Sequence, residues 1–129
     1  MLLVLISFVA LGNMILSGIS GNEALTIESI LGFLFAPLAW LIGIPWEEAG
    51  LAGSLLGTKV VLNEVMAYVQ FSASADLFSE HSRLIMLYAL CGFANIGSLG
   101  ILIGGLSVLV PERKNEYLSI APKSVVCGT

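Results

Sequence analysis

Apolar positions along this chain fall into long unbroken runs, and short polar islands divide them. Met1 to Ile19 is apolar apart from Asn13 and two serines, and its 19 residues match the roughly 17–25 that a membrane-spanning helix needs. Ser20 to Glu28 breaks that run with glycine and acids, and Thr26 or Ser29 is placed to cap the next helix. Residues 29–46 carry no charge, with Trp40 and Trp46 near the far end where indole rings favour the headgroup zone, and with Pro37 as an expected kink. The pattern therefore predicts two spans, at 1–19 and 29–46.

The stretch 47–74 is different, because Asn63-Glu64 divides it into two apolar arms. Each arm is too short to cross roughly 30 Å of hydrocarbon at about 1.5 Å per residue. A re-entrant helical hairpin that turns at Asn63-Glu64 explains both features, since non-helical backbone at that depth survives only against protein or a wet cavity. The plainer alternative is one span with Glu64 buried in it. Asp76 to Arg83 reads as a surface loop that contains the only histidine, His81.

Residues 84–111 form 28 uncharged positions, about 42 Å if wholly helical, which exceeds the bilayer core. Glycines at 92, 97, 100, 104 and 105 favour a break around Asn95, where unwound backbone exposes its dipoles. The same small residues also suit close helix packing. Beyond Pro111, a connection holding Arg113, Lys114 and Lys123 carries three of the five positive charges, which puts it in the cytoplasm and Asp76 to Arg83 outside. Residues 124–129 read as the start of a truncated span, and the chain as a piece of a longer protein.

Composition agrees with this class: 57% of residues are hydrophobic and 11% charged, against about 25% charged in a soluble domain. The expected fold is an all-α membrane protein, with transmembrane helices, one re-entrant helical hairpin and one broken helix. The net charge of −4 offers no basic patch for nucleic acid. Cys91 and Cys127 share no metal-binding or redox spacing. One loop histidine and two unrelated cysteines provide no nucleophile–base pair, so an enzyme is not expected.

A carboxylate within a membrane segment usually marks a substrate or ion path, which makes Glu64 the first candidate site residue. Asn95 and Ser98, in the second polar island, are the others. Each also has a structural reading: Glu64 as partner to a basic residue elsewhere, Asn95 as a helix cap, Ser98 bonded to its own backbone. Lys59 lies about 140° around a continuous helix from Glu64, so a local pair is disfavoured and Lys59 has no assigned role. Trp40, Trp46 and Tyr68 read as interface or packing residues.

Four segments, Gly21-Asn-Glu-Ala-Leu25, Leu31 to Trp46, Gly57-Thr-Lys-Val-Val-Leu-Asn-Glu64 and Gly92-Phe-Ala-Asn-Ile-Gly-Ser98, occur in the order seen in the concentrative nucleoside transporter family, and the chain resembles its C-terminal half. The resemblance implies an ion-coupled importer in which Glu64, Asn95 and Ser98 hold the ribose of a nucleoside. It further implies that the base-binding residues, and those for a sodium or proton coupling ion, lie in the other half, with no cofactor bound by this chain. The intact parent is then expected to be a homotrimer in the lipid bilayer of the plasma (inner) membrane. The family usually has phenylalanine after the Asn-Glu pair; Val65 departs from that. The alternative function is a truncated membrane fragment that transports nothing and has a structural role or none.

The ribose assignment makes chemical sense. Vicinal hydroxyls match a carboxylate's two acceptor oxygens, and an asparagine amide both donates and accepts. Charge-assisted hydrogen bonds of this kind are the stronger ones.

Overall fold

The computed structural model describes residues 2–21 and 25–128, and among these the chain is helical without strands. Helix α1 runs Leu2–Ser20. Gly21 ends it in the left-handed conformation (φ 64°), with its N–H on Ser17 O at 3.0 Å, a C-terminal device that a residue without Cβ adopts at no steric cost. Helix α2, Ile27–Leu41, starts at Thr26, whose Oγ1 accepts from Ser29 N at 3.2 Å. The polar residue within α1, Asn13, has a task here. Its Oδ1 accepts from Ile27 N at 2.8 Å and its Nδ2 donates to Glu28 Oε2 at 2.9 Å, so α1 satisfies an N–H that the first turn of α2 leaves open.

Most of the run read as one span over 29–46 is a single helix, closed by a turn at its far end. α2 continues through Pro37 but stops at Leu41, and Trp46 begins helix α3, Trp46–Val61. Gly43 (φ 106°) makes the turn, its N–H bonded to Trp40 O at 3.0 Å, and Pro45 precedes the new helix. The pair then packs closely through small residues: Gly32, Ala36 and Ala39 on α2 meet a face of α3 that carries Ala49, Ala52, Gly53 and Gly57. Small residues spaced about one turn apart let two backbones approach this closely. Among the described residues no single helix is long and apolar enough to cross a membrane; α2 and α3 reach the length and apolar composition of a span only when taken together, and a bend of 119° separates them.

Helix α3 ends at Leu62, and Asn63, in extended conformation, caps helix α4, Glu64–Ser74, by accepting from Met66 N at 2.9 Å. The chain folds back here. Thr58 Oγ1 donates to Gln70 Oε1 at 3.1 Å, although these residues would be about 18 Å apart along a continuous helix.

The stretch expected as a loop over 76–83 is instead a 3-10 turn, Ala75–Leu77, followed by helix α5, Glu80–Ala89, with Ser79 as its cap. Glu48 accepts from Ser79 N at 3.2 Å, which ties the start of α3 to the start of α5. His81 lies exposed in the first turn of α5. The core runs through these elements and includes Ile44, Leu55, Leu56, Phe71, Phe78, Met86 and Leu90. Phe71 and Phe78 meet with ring centroids 5.7 Å apart.

Residues 90–95 are not helical, and helix α6, Ile96–Leu109, starts after them. Helix α7 runs Lys114–Gly128, so the positive connection is largely helix, and residues 124–128 end an element that starts ten residues earlier than the sequence pattern suggested. Basic and polar residues had the appearance of a loop, yet apart from Pro122 the segment holds no strong helix breaker. The Ser107 and Tyr117 hydroxyls, 2.9 Å apart, join α6 to α7. Large apolar side chains stand exposed on α1, α2, α6 and α7, Phe33 and Val108 each by more than four-fifths (87% and 82%). Such surface marks contact with lipid or with further protein.

Candidate functional site

The three candidate residues converge. Glu64 is the first residue of α4, and Asn95 is the cap of α6. They are 31 positions apart in the chain, and Asn95 Nδ2 donates to Glu64 Oε2 at 3.0 Å. Asn95 Oδ1 accepts from Ser98 N at 2.7 Å, and the Ser98 hydroxyl lies 2.7 Å from the same oxygen and 2.8 Å from Phe93 O. That hydroxyl has one proton, so it satisfies one of these acceptors at a time. The structural and the binding readings of Asn95 are compatible, because its carbonyl caps the helix while its amide faces the carboxylate.

Local sequence explains why the site forms here. Asn63 and Asn95 are each a polar residue ahead of an apolar helix, and each accepts from an N–H in the following first turn. The N-termini of α4 and α6 therefore meet, and both helix dipoles present their positive ends to the region of the Glu64 carboxylate. Asn95 is almost fully buried, with 3% of its surface exposed, and Glu64 is half-buried.

A cleft of about 610 Å³ opens on this cluster. Glu64, Asn63, Asn95 and Ser98 provide its polar wall, while Phe93, Leu99 and Leu102 are among its apolar lining. α7 also contributes through Ser124 and Val125, which the sequence pattern gave no reason to place there. A volume of this size with a few convergent polar groups suits a small organic molecule. Among the described residues no group of His, Cys, Asp and Glu is arranged to hold a metal ion, and Cys91 and Cys127 are free.

Lys59 is the residue that sequence reasoning left without a role. It is buried on α3, with 2% of its surface exposed, and its ammonium donates to Ala89 O at 3.1 Å. The helix breaks at Leu62 and Asn63, so Lys59 and Glu64 stand on different helices, and among the described residues they form no ion pair. Tyr68, expected only to pack, donates its hydroxyl to Leu87 O at 2.6 Å.

The family model for the C-terminus of Na+ dependent nucleoside transporters matches residues 1–129. The Bacillus subtilis "Uncharacterized transporter YutK" is 44% identical over 132 residues, covering 100% of this chain and 33% of that protein. "Nucleoside permease NupC" of Helicobacter pylori is also 44% identical, over 112 residues, covering 83% of this chain and 27% of its own length. Among solved structures, CNTnw in an inward-facing substrate-bound state superposes with a TM-score of 0.87 at 45% identity, covering 98% of this chain and 31% of that one. The chain thus spans about a third of the length of the relatives it matches. These relatives are membrane transporters and not enzymes, in agreement with the apolar surface, and an integral membrane location follows. The chain belongs to the Na+-dependent nucleoside transporter family, of which it carries the C-terminal part.

Proposed function

We propose that this chain supplies the ribose-binding half of an ion-coupled nucleoside importer, with Glu64, Asn95 and Ser98 on the sugar. The observation that carries the reading is the 3.0 Å contact between Asn95 and Glu64 at the mouth of two helix N-termini, facing a 610 Å³ cleft. A carboxylate offers about four acceptor positions, and Asn95 takes one, so acceptors remain for vicinal hydroxyls. The amide beside it adds a donor, and the Ser98 hydroxyl supplies a further polar contact. Phe93 and Leu102 give the cleft the apolar surface against which a sugar or base edge packs.

In this proposal α3 and α4 form a re-entrant hairpin and α5 and α6 a broken span. Helices of 16 and 11 residues rise only about 24 and 16 Å, short of a bilayer core of roughly 30 Å, and they turn back where Thr58 meets Gln70. The non-helical backbone at 62–63 and 90–95 lies against protein and the cleft, the one setting in which such backbone is tolerated at membrane depth. The coupling ion is sodium, after the family's description, and it binds through the part of the protein beyond this chain. The parent works as a homotrimer in the plasma (inner) membrane, with the connection near Arg113 and Lys114 in the cytoplasm.

The test is uptake of radiolabelled uridine and adenosine by proteoliposomes containing the full-length protein, with Glu64→Gln beside it. Wild type accumulates nucleoside when a sodium gradient is imposed, and Glu64→Gln loses about 10- to 100-fold in affinity, the size of a charge-assisted hydrogen bond. Equal uptake by the two proteins would remove Glu64 from the sugar.

A further inference from the structure

Two side chains from the α3–α4 hairpin grip the end of α5. Lys59, on α3, donates to Ala89 O at 3.1 Å, and Tyr68, on α4, donates to Leu87 O at 2.6 Å. The last carbonyls of a helix lack partners within it, and a cation is favoured at that negative end. Neighbouring N–H groups do not take these two oxygens: Leu90 N bonds Met86 O and Cys91 N bonds Tyr88 O. A lysine is almost never this buried unless it is paired, and among the described residues Ala89 O is its one hydrogen-bond acceptor.

The non-helical segment next to this grip is shaped around it. A Cβ built on Gly92 would lie 2.8 Å from the Lys59 ammonium nitrogen, so a larger residue there displaces the end of the lysine side chain. Phe93, one residue further, lines the cleft, and Asn95 follows with its contact to Glu64. Glu64 itself stands between Lys59 and Tyr68 in sequence, at the start of α4.

We infer that Lys59 and Tyr68 are positioning residues: they clasp the end of α5 to both arms of the hairpin and so hold segment 90–95, and with it Asn95 and Ser98, opposite Glu64. The statement about the sugar rests on the proposed nucleoside reading; the statement about the clasp does not.

Amide hydrogen exchange on the full-length protein in lipid nanodiscs separates the two. Wild type is compared with Lys59→Met, Tyr68→Phe and Gly92→Ala, the second of which removes one oxygen and keeps the ring. Exchange at residues 88–95 is expected to rise about tenfold in Lys59→Met and in Tyr68→Phe, as for loss of one strong hydrogen bond, and by less in Gly92→Ala, which only displaces the end of Lys59, while α2 is unaffected. Unchanged exchange at 88–95 in both Lys59→Met and Tyr68→Phe overturns the clasp, as does an equal rise throughout α2. On the same samples, the preference for uridine over 2′-deoxyuridine is expected to fall in Lys59→Met. If exchange rises and that preference holds, the clasp does not position the sugar site. If wild type binds no nucleoside at all, the proposed function fails while the exchange result still decides the clasp.

Discussion

Gly53→Ala is the substitution in which the packing between α2 and α3 is most directly exposed. A Cβ at this position would lie 2.4 Å from Gly32 O, 2.8 Å from Ala36 N and 3.0 Å from the Phe35 carbonyl carbon. All three are backbone atoms, so no rotamer change relieves the contact and the helices must separate by about 1 Å to restore van der Waals distance. Overpacking of this kind costs roughly 1–3 kcal/mol, and a backbone-on-backbone clash belongs at the upper end. Against it stands the helix preference of alanine over glycine, about 0.8–1.0 kcal/mol. Gly50, one turn earlier on the same helix, isolates the two effects, because a Cβ there meets nothing within 4 Å. Gly50→Ala gains the preference without the clash, so the two variants should differ in stability by about 2–3 kcal/mol. Reversible unfolding of the full-length protein in mixed micelles, followed by far-ultraviolet circular dichroism, reads the difference. If Gly53→Ala matched Gly50→Ala in stability, the close approach of α2 and α3 would be wrong.

Other consequences follow from single contacts. Asn13→Leu removes the acceptor for Ile27 N and the donor to Glu28, and should destabilise the α1–α2 junction by about 1–2 kcal/mol in the same unfolding assay. Asn63→Ala and Asn95→Ala each remove a helix cap worth about 1 kcal/mol. Asn95→Ala should in addition weaken uridine binding at least tenfold beyond any loss in Asn63→Ala, because it alone also loses the amide that faces Glu64. Ser98→Ala keeps its backbone N–H on Asn95 but loses the hydroxyl's bond to Phe93 O or Asn95 Oδ1, so stability should fall by about 0.5–1.5 kcal/mol while uridine affinity falls a few-fold; unchanged affinity would assign Ser98 to the local structure alone.

The helical class is legible in the sequence because the chain carries too little charge for a soluble domain and too many long apolar runs. Asn63 and Asn95 stand out for a local reason: each is a polar residue placed ahead of an apolar helix. The turn at Gly43 and Pro45 is masked by its neighbours, since an apolar run flanked by two tryptophans reads as one span even where it reverses. The signal was present in the Gly-Ile-Pro triplet, but hydropathy outweighed it. α7 was hidden the opposite way, its polar composition suggesting a connection where local propensity supports a helix.

The roles of Lys59 and Tyr68 lay beyond any sequence pattern. Each depends on a carbonyl some twenty or thirty residues away, which becomes an open acceptor only because α5 stops at Ala89. On an unbroken helix Lys59 and Glu64 would point about 140° apart; the break at Leu62 removes that constraint. The lining residues Ser124 and Val125 depend in the same way on how α7 returns along α6.

The central claim is that the ribose hydroxyls bind between the N-termini of α4 and α6, and a cycle of ligand and protein changes tests it most directly. Calorimetric binding of uridine, 2′-deoxyuridine and 3′-deoxyuridine is measured for the full-length wild type and for Glu64→Gln. The account predicts that wild type loses about 10- to 100-fold for at least one missing hydroxyl, and that Glu64→Gln reduces this penalty to within about threefold. A penalty of the same size in both proteins would contradict it and place the sugar elsewhere.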